Sequence, residues 1–257
     1  MPRKIIDLAV SLTDKIQSDP PGLGPQITHI EHTAGAAEFS QMFGLPEGAL
    51  RDNAGAAVER CTITTHNGTH MDAPWHYHPT MNGGERAITI DEVPLEWCFG
   101  PGVKFDFRDR LNGYTITAQD VADELDRIGH VLSAGDIVLV NTAAGARYGE
   151  PDYVGTGCGM GREATLYLTE RGVKVCGTDA WSWDPPLMGQ AARAREIGDW
   201  SIFWEGHKAG ADTVYCHMEK LANLDQLPSS GFEVIALPVK VANGSAGWCR
   251  PVAIVEE

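Results

Sequence analysis

The segment Val58 to Pro79, VERCTITTHNGTHMDAPWHYHP, limits the possible folds more than any other stretch of the chain. Its first part, VERCTITTH, is rich in β-branched residues, which suit a pleated, half-buried strand. Asn67-Gly68 then supplies the chemistry of a tight turn, and Pro74 stiffens the chain two residues beyond Asp72. The order is strand, turn, short extended piece. A helix would set His66 and His70 on one face, but Ile63, Thr64, Thr65 and the turn dipeptide oppose it. In an extended piece His70 and Asp72, two apart, point to the same side. The turn folds His66 back toward them, and Pro74 positions His76.

Four of the nine histidines fall in this segment, beside one aspartate. Two imidazoles and a carboxylate are a common protein set for a catalytic divalent metal, and three ligands leave room for a water. The set suits zinc, manganese or iron. A nearby histidine outside the ligand set can serve as general base. The plain alternative is a loop of satisfied or surface histidines, and that remains the reading for His78 beside Pro79.

The rest of the chain places this segment in an α/β protein. KIIDLAVSL (Lys4 to Leu12), GVKFDFR (Gly102 to Arg108), DIVLVNT (Asp136 to Thr142), VKVCGTD, FEVIALPVKV (Phe232 to Val241) and RPVAIVEE (Arg250 to Glu257) read as strands. TAQDVADELDRIG is a marked helix: Thr117 caps it, Val121, Leu125 and Ile128 recur at i, i+4 and i+7, and Gly129 closes it. REATLYLTERG is a second helix. The elements interleave without the strict alternation of a doubly wound fold, so a mixed, barrel-like sheet with helices packed outside is expected. No repeat or boundary divides the 257 residues, and one domain, 1–257, is expected.

Bulk properties narrow the partners. The formal net charge of -15 disfavours nucleic acid. No apolar run is long enough for a membrane span, and MPRKIIDLAVSL reads as a first strand, not a signal peptide. Six scattered cysteines without a CxxC pair suit reduced thiols in the cytoplasm. Cys158 in GTGCGM is the best candidate for a cysteine nucleophile, although glycine there better marks a turn.

HNGTHMDAPWH matches the pattern HxGTHxDxxxH and resembles the cyclase-like metal hydrolase family, which includes kynurenine formamidases and isatin hydrolases. DLAVSL with DPPG, ERGVKVCGTDAWSWDP, and EKLANLDQLP followed by FEVIALPVKV extend the resemblance over almost the whole chain. It implies a swivelling β/β/α fold, a homodimer or homotetramer, and one or two divalent metals per chain, zinc or manganese. It implies His66, His70 and Asp72 as ligands of the first metal, with Asp72 also able to bridge to a second. His76 matches the catalytic histidine. Glu219 and His207, twelve residues apart, match the second-metal pair. His217 is the local competitor, otherwise a residue at the start of a helix. The implied reaction is hydrolysis of a cyclic amide, imide, lactone or aryl formamide.

The stretches Thr33 to Ala57 and Trp181 to Gly206 look like extra length, the first as a lid or an oligomer contact. Trp75, Trp181, Trp183 and Phe203, with Trp204, lie beside motif positions and suggest an aromatic-lined pocket for a flat, small-molecule substrate. Three rival readings stand: a metal-dependent lyase or cyclase, a non-catalytic metal-dependent binder of small molecules, and a cysteine hydrolase.

Overall fold

The computed structural model describes residues 2–256. Nine strands form one mixed sheet: β1 (Arg3–Asp7), β2 (His70–Asp72), β3 (Phe99–Asp106), β4 (Ile137–Asn141), β5 (Val175–Thr178), β6 (Cys216–Glu219), β7 (Phe232–Ile235), β8 (Ala246–Trp248) and β9 (Val252–Glu256). Their spatial order is β1-β9-β7-β3-β4-β5-β6-β2-β8. The four central strands, β3 to β6, are parallel neighbours, and antiparallel strands flank them on both sides.

Parallel neighbours need long crossovers, and the helices supply them. The first is α1 (His32–Phe43), outside the sheet, and α2 (Pro74–Tyr77) follows β2. Helix α3 (Ala118–Ile128) joins β3 to β4, and α4 (Arg162–Thr169) joins β4 to β5. Helices α5 (Leu187–Ile197) and α6 (Glu205–Lys208) lie between β5 and β6. Helix α3 forms where the sequence indicates. Thr117 accepts from the Asp120 backbone N–H, the Asp120 carboxylate reaches back to the Thr117 N–H, and Gly129 closes the helix at φ 65°. Losing such a cap costs about 1 kcal/mol.

Strand periodicity separates two cores. Ile137 and Leu139 pack with Met71, Val175 and Met218, while Val138 and Val140 pack with Val121 and Leu125 of α3 and Leu168 of α4. The chain beyond β1 reaches across to the other half of the sheet. Ala9 bridges to Leu221 just past β6, and the Leu8 carbonyl accepts from the Ala222 N–H at 2.9 Å. The sheet therefore curls into a half-barrel with helices outside, as expected for the swivelling β/β/α class.

Three differences from the sequence reading matter. The stretch Thr33 to Ala57 is not featureless: most of α1 lies in it, between the paired strands Gln26–Ile30 and Val58–Thr62. The strand expected through His66 ends at Thr62, and the next residues form the turn. His217 lies in the middle of β6, not at the start of a helix. Strands β2, β6 and β8 have three or four residues each, too few for a readable period. No helix among the described residues is long and apolar enough to cross a membrane.

Candidate metal centre

Strands β2 and β6 are antiparallel neighbours, with His217 opposite Asp72, Met218 opposite Met71 and Glu219 opposite His70. Side chains alternate between the faces of a strand. Met71 and Met218 thus enter the apolar core on one face, while His70, Asp72, His217 and Glu219 meet on the other. Two strands with the pattern polar, methionine, polar are enough to assemble the floor of the site. Gly68, at φ 64°, makes the turn that returns His66 to this floor, and Pro74 opens α2, which carries His76.

The Asp72 carboxylate is the centre. Its Oδ1 lies 3.0 Å from His66 Nδ1 and 3.3 Å from His70 Nε2. Its Oδ2 lies 3.3 Å from His217 Nε2, 3.7 Å from His76 Nε2 and 3.8 Å from His207 Nε2. Glu219 Oε1 is 3.2 Å from His217 Nε2 and 3.5 Å from His207 Nε2, while its Oε2 is 3.6 Å from His70 Nε2. Two groups with metal-ligand spacing result, Asp72, His207, His217 and Glu219 on one side and His66, Asp72 and His76 on the other. Both contain Asp72.

Buried polar atoms are normally paired. Here His70 Nε2 and both Asp72 oxygens are buried without a hydrogen-bond partner among the described residues. The outer nitrogens are, by contrast, held. His70 Nδ1 is 2.9 Å from the Gly68 carbonyl, His207 Nδ1 is 2.6 Å from Asp184 Oδ2, and His66 Nε2 is 3.1 Å from Ser245 Oγ. A carbonyl or carboxylate on one ring nitrogen fixes the proton there and leaves the other lone pair facing inward, as in metal-bound histidines. The donor set and its orphaned atoms fit a divalent cation.

Charge tells the same story. Burial alone would raise the Asp72 carboxyl, but the imidazoles of His76, His66 and His70 outweigh it and hold it well below the usual range. Burial would likewise raise Glu219, yet the hydrogen bond with His217 brings it down to about 2. Burial would lower His217, and the neighbouring Asp72 and Glu219 carboxylates instead raise it to about 9. Two buried carboxylates here demand positive charge. His76 differs: burial dominates and lowers it to about 4, which leaves a neutral imidazole.

A cavity of about 300 Å³ opens onto this centre and is lined by His66, His76, His207 and Glu219 on one side and by Trp181, Trp204, Leu23 and Leu187 on the other. Trp204 stacks on His207 at 4.6 Å and meets His76 edge-on at 5.5 Å. Its backbone is left-handed at φ 64°, a strained state for a bulky residue that is typical of functional sites. Gly206, two residues on, is needed for close approach: a Cβ there would lie 2.4 Å from the Met160 carbonyl oxygen.

The structure brings together His66, His70, Asp72, His76, His207 and Glu219. Of the aromatic residues expected in the pocket, Trp181 lines the cavity and Trp75, Trp183 and Phe203 do not. Trp75 is exposed on α2, outside the cavity lining. Trp183 is fully buried, donates to Thr165 and stacks behind His217 at 5.5 Å. Phe203 packs edge-on to Trp200 at 6.4 Å. Proximity to a motif in sequence says nothing about which side of a strand or turn a ring occupies. Cys158 is also set aside: it is buried against the Phe107 carbonyl, and burial pushes its thiol up to about 12. The sequence reading undervalued His217 and missed Asp184. The signal for His217 was its two-residue spacing from Glu219 in a β-type run, the same spacing that paired His70 with Asp72.

Residues 6–185 match the model of the family described as Putative cyclase. A kynurenine formamidase from Salinibacter ruber is 30% identical over 193 residues, 74% of this chain and 76% of that protein. One from Erythrobacter litoralis is 29% identical over 195 residues, 76% of each. The isatin hydrolase A structure from Ralstonia solanacearum superposes with a TM-score of 0.75 at 21% identity, covering 99% of this chain and 92% of that one. The chain belongs to the cyclase family, and its relatives together with the His/Asp/Glu cluster mark it as a metal-dependent hydrolase.

Proposed function

We propose that this protein uses a divalent metal, zinc or manganese, to hydrolyse a C–N or C–O bond of a cyclic amide, imide or lactone, or of an aryl formamide. The observation that carries the proposal is the shared, unpartnered Asp72 carboxylate between two histidine-bearing groups. His66, His70 and Asp72 would hold one ion, and Asp72, His207, His217 and Glu219 a second. When bound, such an ion supplies an activated water and polarises the scissile carbonyl. His76 holds a neutral imidazole at the cavity wall, takes a proton from the water and returns it to the leaving nitrogen or oxygen. Asp184 fixes the orientation of His207. Trp181 and Trp204 exclude water and flank a planar substrate.

The chain acts as one domain in the cytoplasm. It works as a homodimer or homotetramer, a reading supported by the exposed Met42 and Phe43 on α1. The test is a turnover panel of an aryl formamide, isatin, a dienelactone and a cyclic imide, with zinc and with manganese. At least one should turn over, and a chelator should abolish the rate. Full activity in chelator with no metal by elemental analysis would overturn the reading.

A further inference from the structure

One wall of the cavity carries a charge pair that the hydrolytic chemistry does not use. Asp19, a residue 6% exposed, comes from the Pro- and Gly-rich loop after β1, and its carboxylate collects four donors. Lys220 Nζ and Trp181 Nε1 donate to Oδ1, the latter at 3.1 Å. Ser18 Oγ at 3.0 Å and Asn67 Nδ2 at 3.1 Å donate to Oδ2. Lys220, 1% exposed, also donates to the His66 carbonyl at 3.0 Å. Its backbone is left-handed at φ 57°, a state uncommon for a residue with a Cβ. Both residues line the cavity.

A buried ammonium needs a counter-charge, and an apolar pair of similar volume would often serve stability as well. The pair has a consequence for ligands. Lys220 is the one lysine or arginine on the cavity wall among the described residues, and Asp19 already neutralises it. An uncharged ring between Trp181 and Trp204 meets no penalty. A ring with a free carboxylate away from its scissile bond loses its hydration there and finds no unpaired lysine or arginine on the wall.

We propose that Asp19 is a specificity-determining residue: by neutralising Lys220, it restricts the cavity to uncharged planar rings and excludes carboxylate-bearing ones. This rests on the cavity being the substrate site of the proposed hydrolase. Asp19→Asn keeps an oxygen for Trp181 and Lys220 but removes the negative charge. The Lys220 ammonium then becomes available to an anionic ligand entering the cavity, and a charge-assisted hydrogen bond forms in a buried site.

The experiment titrates the metal-loaded protein with oxindole and with oxindole-5-carboxylate, read by tryptophan fluorescence. Wild type should bind the neutral ring at least about tenfold more tightly, a difference of about 1.4 kcal/mol. Asp19→Asn should shift that ratio at least about tenfold toward the carboxylate, and Asp19→Asn with Lys220→Met should restore the neutral preference. Equal binding of the two probes by wild type, binding of neither, or an unchanged ratio in natively folded Asp19→Asn overturns the proposal. If Asp19→Asn does not fold, Lys220→Met decides. It leaves Asp19 in place, should still exclude the carboxylate, and overturns the proposal if it binds that probe better than wild type. No turnover is read, so the expected binding pattern without hydrolysis of any substrate supports this assignment and counts against the hydrolase reading alone.

Discussion

The centre has two unlike halves joined at Asp72. His207, His217 and Glu219 are buried, stacked among Trp183, Tyr77 and Trp204, and supported by Asp184. His66 and His76 are partly exposed, their side chains 29% and 28% accessible, and share the cavity wall with the buried His207 and Glu219. The buried half rests on a strand and a short helix fixed by packing. The open half rests on a turn and on α2, which has four residues as α6 does, so exposure rather than helix length distinguishes the two. A group that must only hold a cation can be rigid and dry, whereas one that moves a proton must reach substrate. On the proposed roles, His76 in the open half reacts while its neighbour His66 and the buried half hold, and substitutions should separate the two.

Asp72→Ala should have the largest effect, because both halves lose their common oxygen donor. Metal content should fall at both positions and turnover should vanish, as measured by elemental analysis beside a rate assay. Next comes the buried half alone. His207→Ala and His217→Ala should each lose about one equivalent of metal where wild type holds two, and retain more metal than Asp72→Ala. A His207→Ala protein that is emptied while Asp72→Ala stays loaded would break the comparison. Asp184→Asn should act more gently. It weakens the acceptor that orients His207, and loss of such support typically lowers metal affinity by about 10- to 100-fold, which a chelator competition titration reads.

A separate effect, on stability alone, lies outside the centre and tests whether burial without a cation carries a different cost. Burial pushes the Asp179 carboxyl up to about 7, against Thr142 donors that pull it down. Its folded value therefore exceeds an unfolded value of about 3.9. The folded state binds the extra proton, so stability is highest below about pH 4 for this group and declines as pH rises through about 7. A gap of about 3 pH units corresponds to about 4 kcal/mol at full ionisation. Asp179→Asn keeps an acceptor for Thr142 and should flatten the decline in melting temperature between pH 5 and 8. An unchanged slope would contradict the assignment.

The segment from His66 to His76, which carries the open half together with His70 and Asp72, was the legible part. His66, His70, Asp72 and His76 lie within eleven residues, and turn chemistry and period-two alternation are enough to converge them. Long elements with strong signals, α3 with its cap and β4 with its apolar run, were equally readable. The buried half was not, because β2 and β6 are 146 residues apart in sequence, counted from His70 to Cys216, and their pairing is a tertiary fact. His207 and Glu219 came from resemblance, and His217 was misplaced because four-residue β6 shows no period. Which tryptophan faces the cavity depended on backbone turns such as that at Trp204, which no local rule predicts.

The most direct test of this division is metal content measured beside turnover in one preparation of His76→Ala. Holding and reacting are separate here if the protein keeps its full metal complement while turnover falls by roughly 10² to 10⁴-fold, the usual contribution of a positioned base. That loss corresponds to about 3 to 5 kcal/mol of transition-state stabilisation. Metal lost in step with turnover would place His76 among the ligands, and full metal with near wild-type turnover would remove it from the reaction; either result contradicts the account.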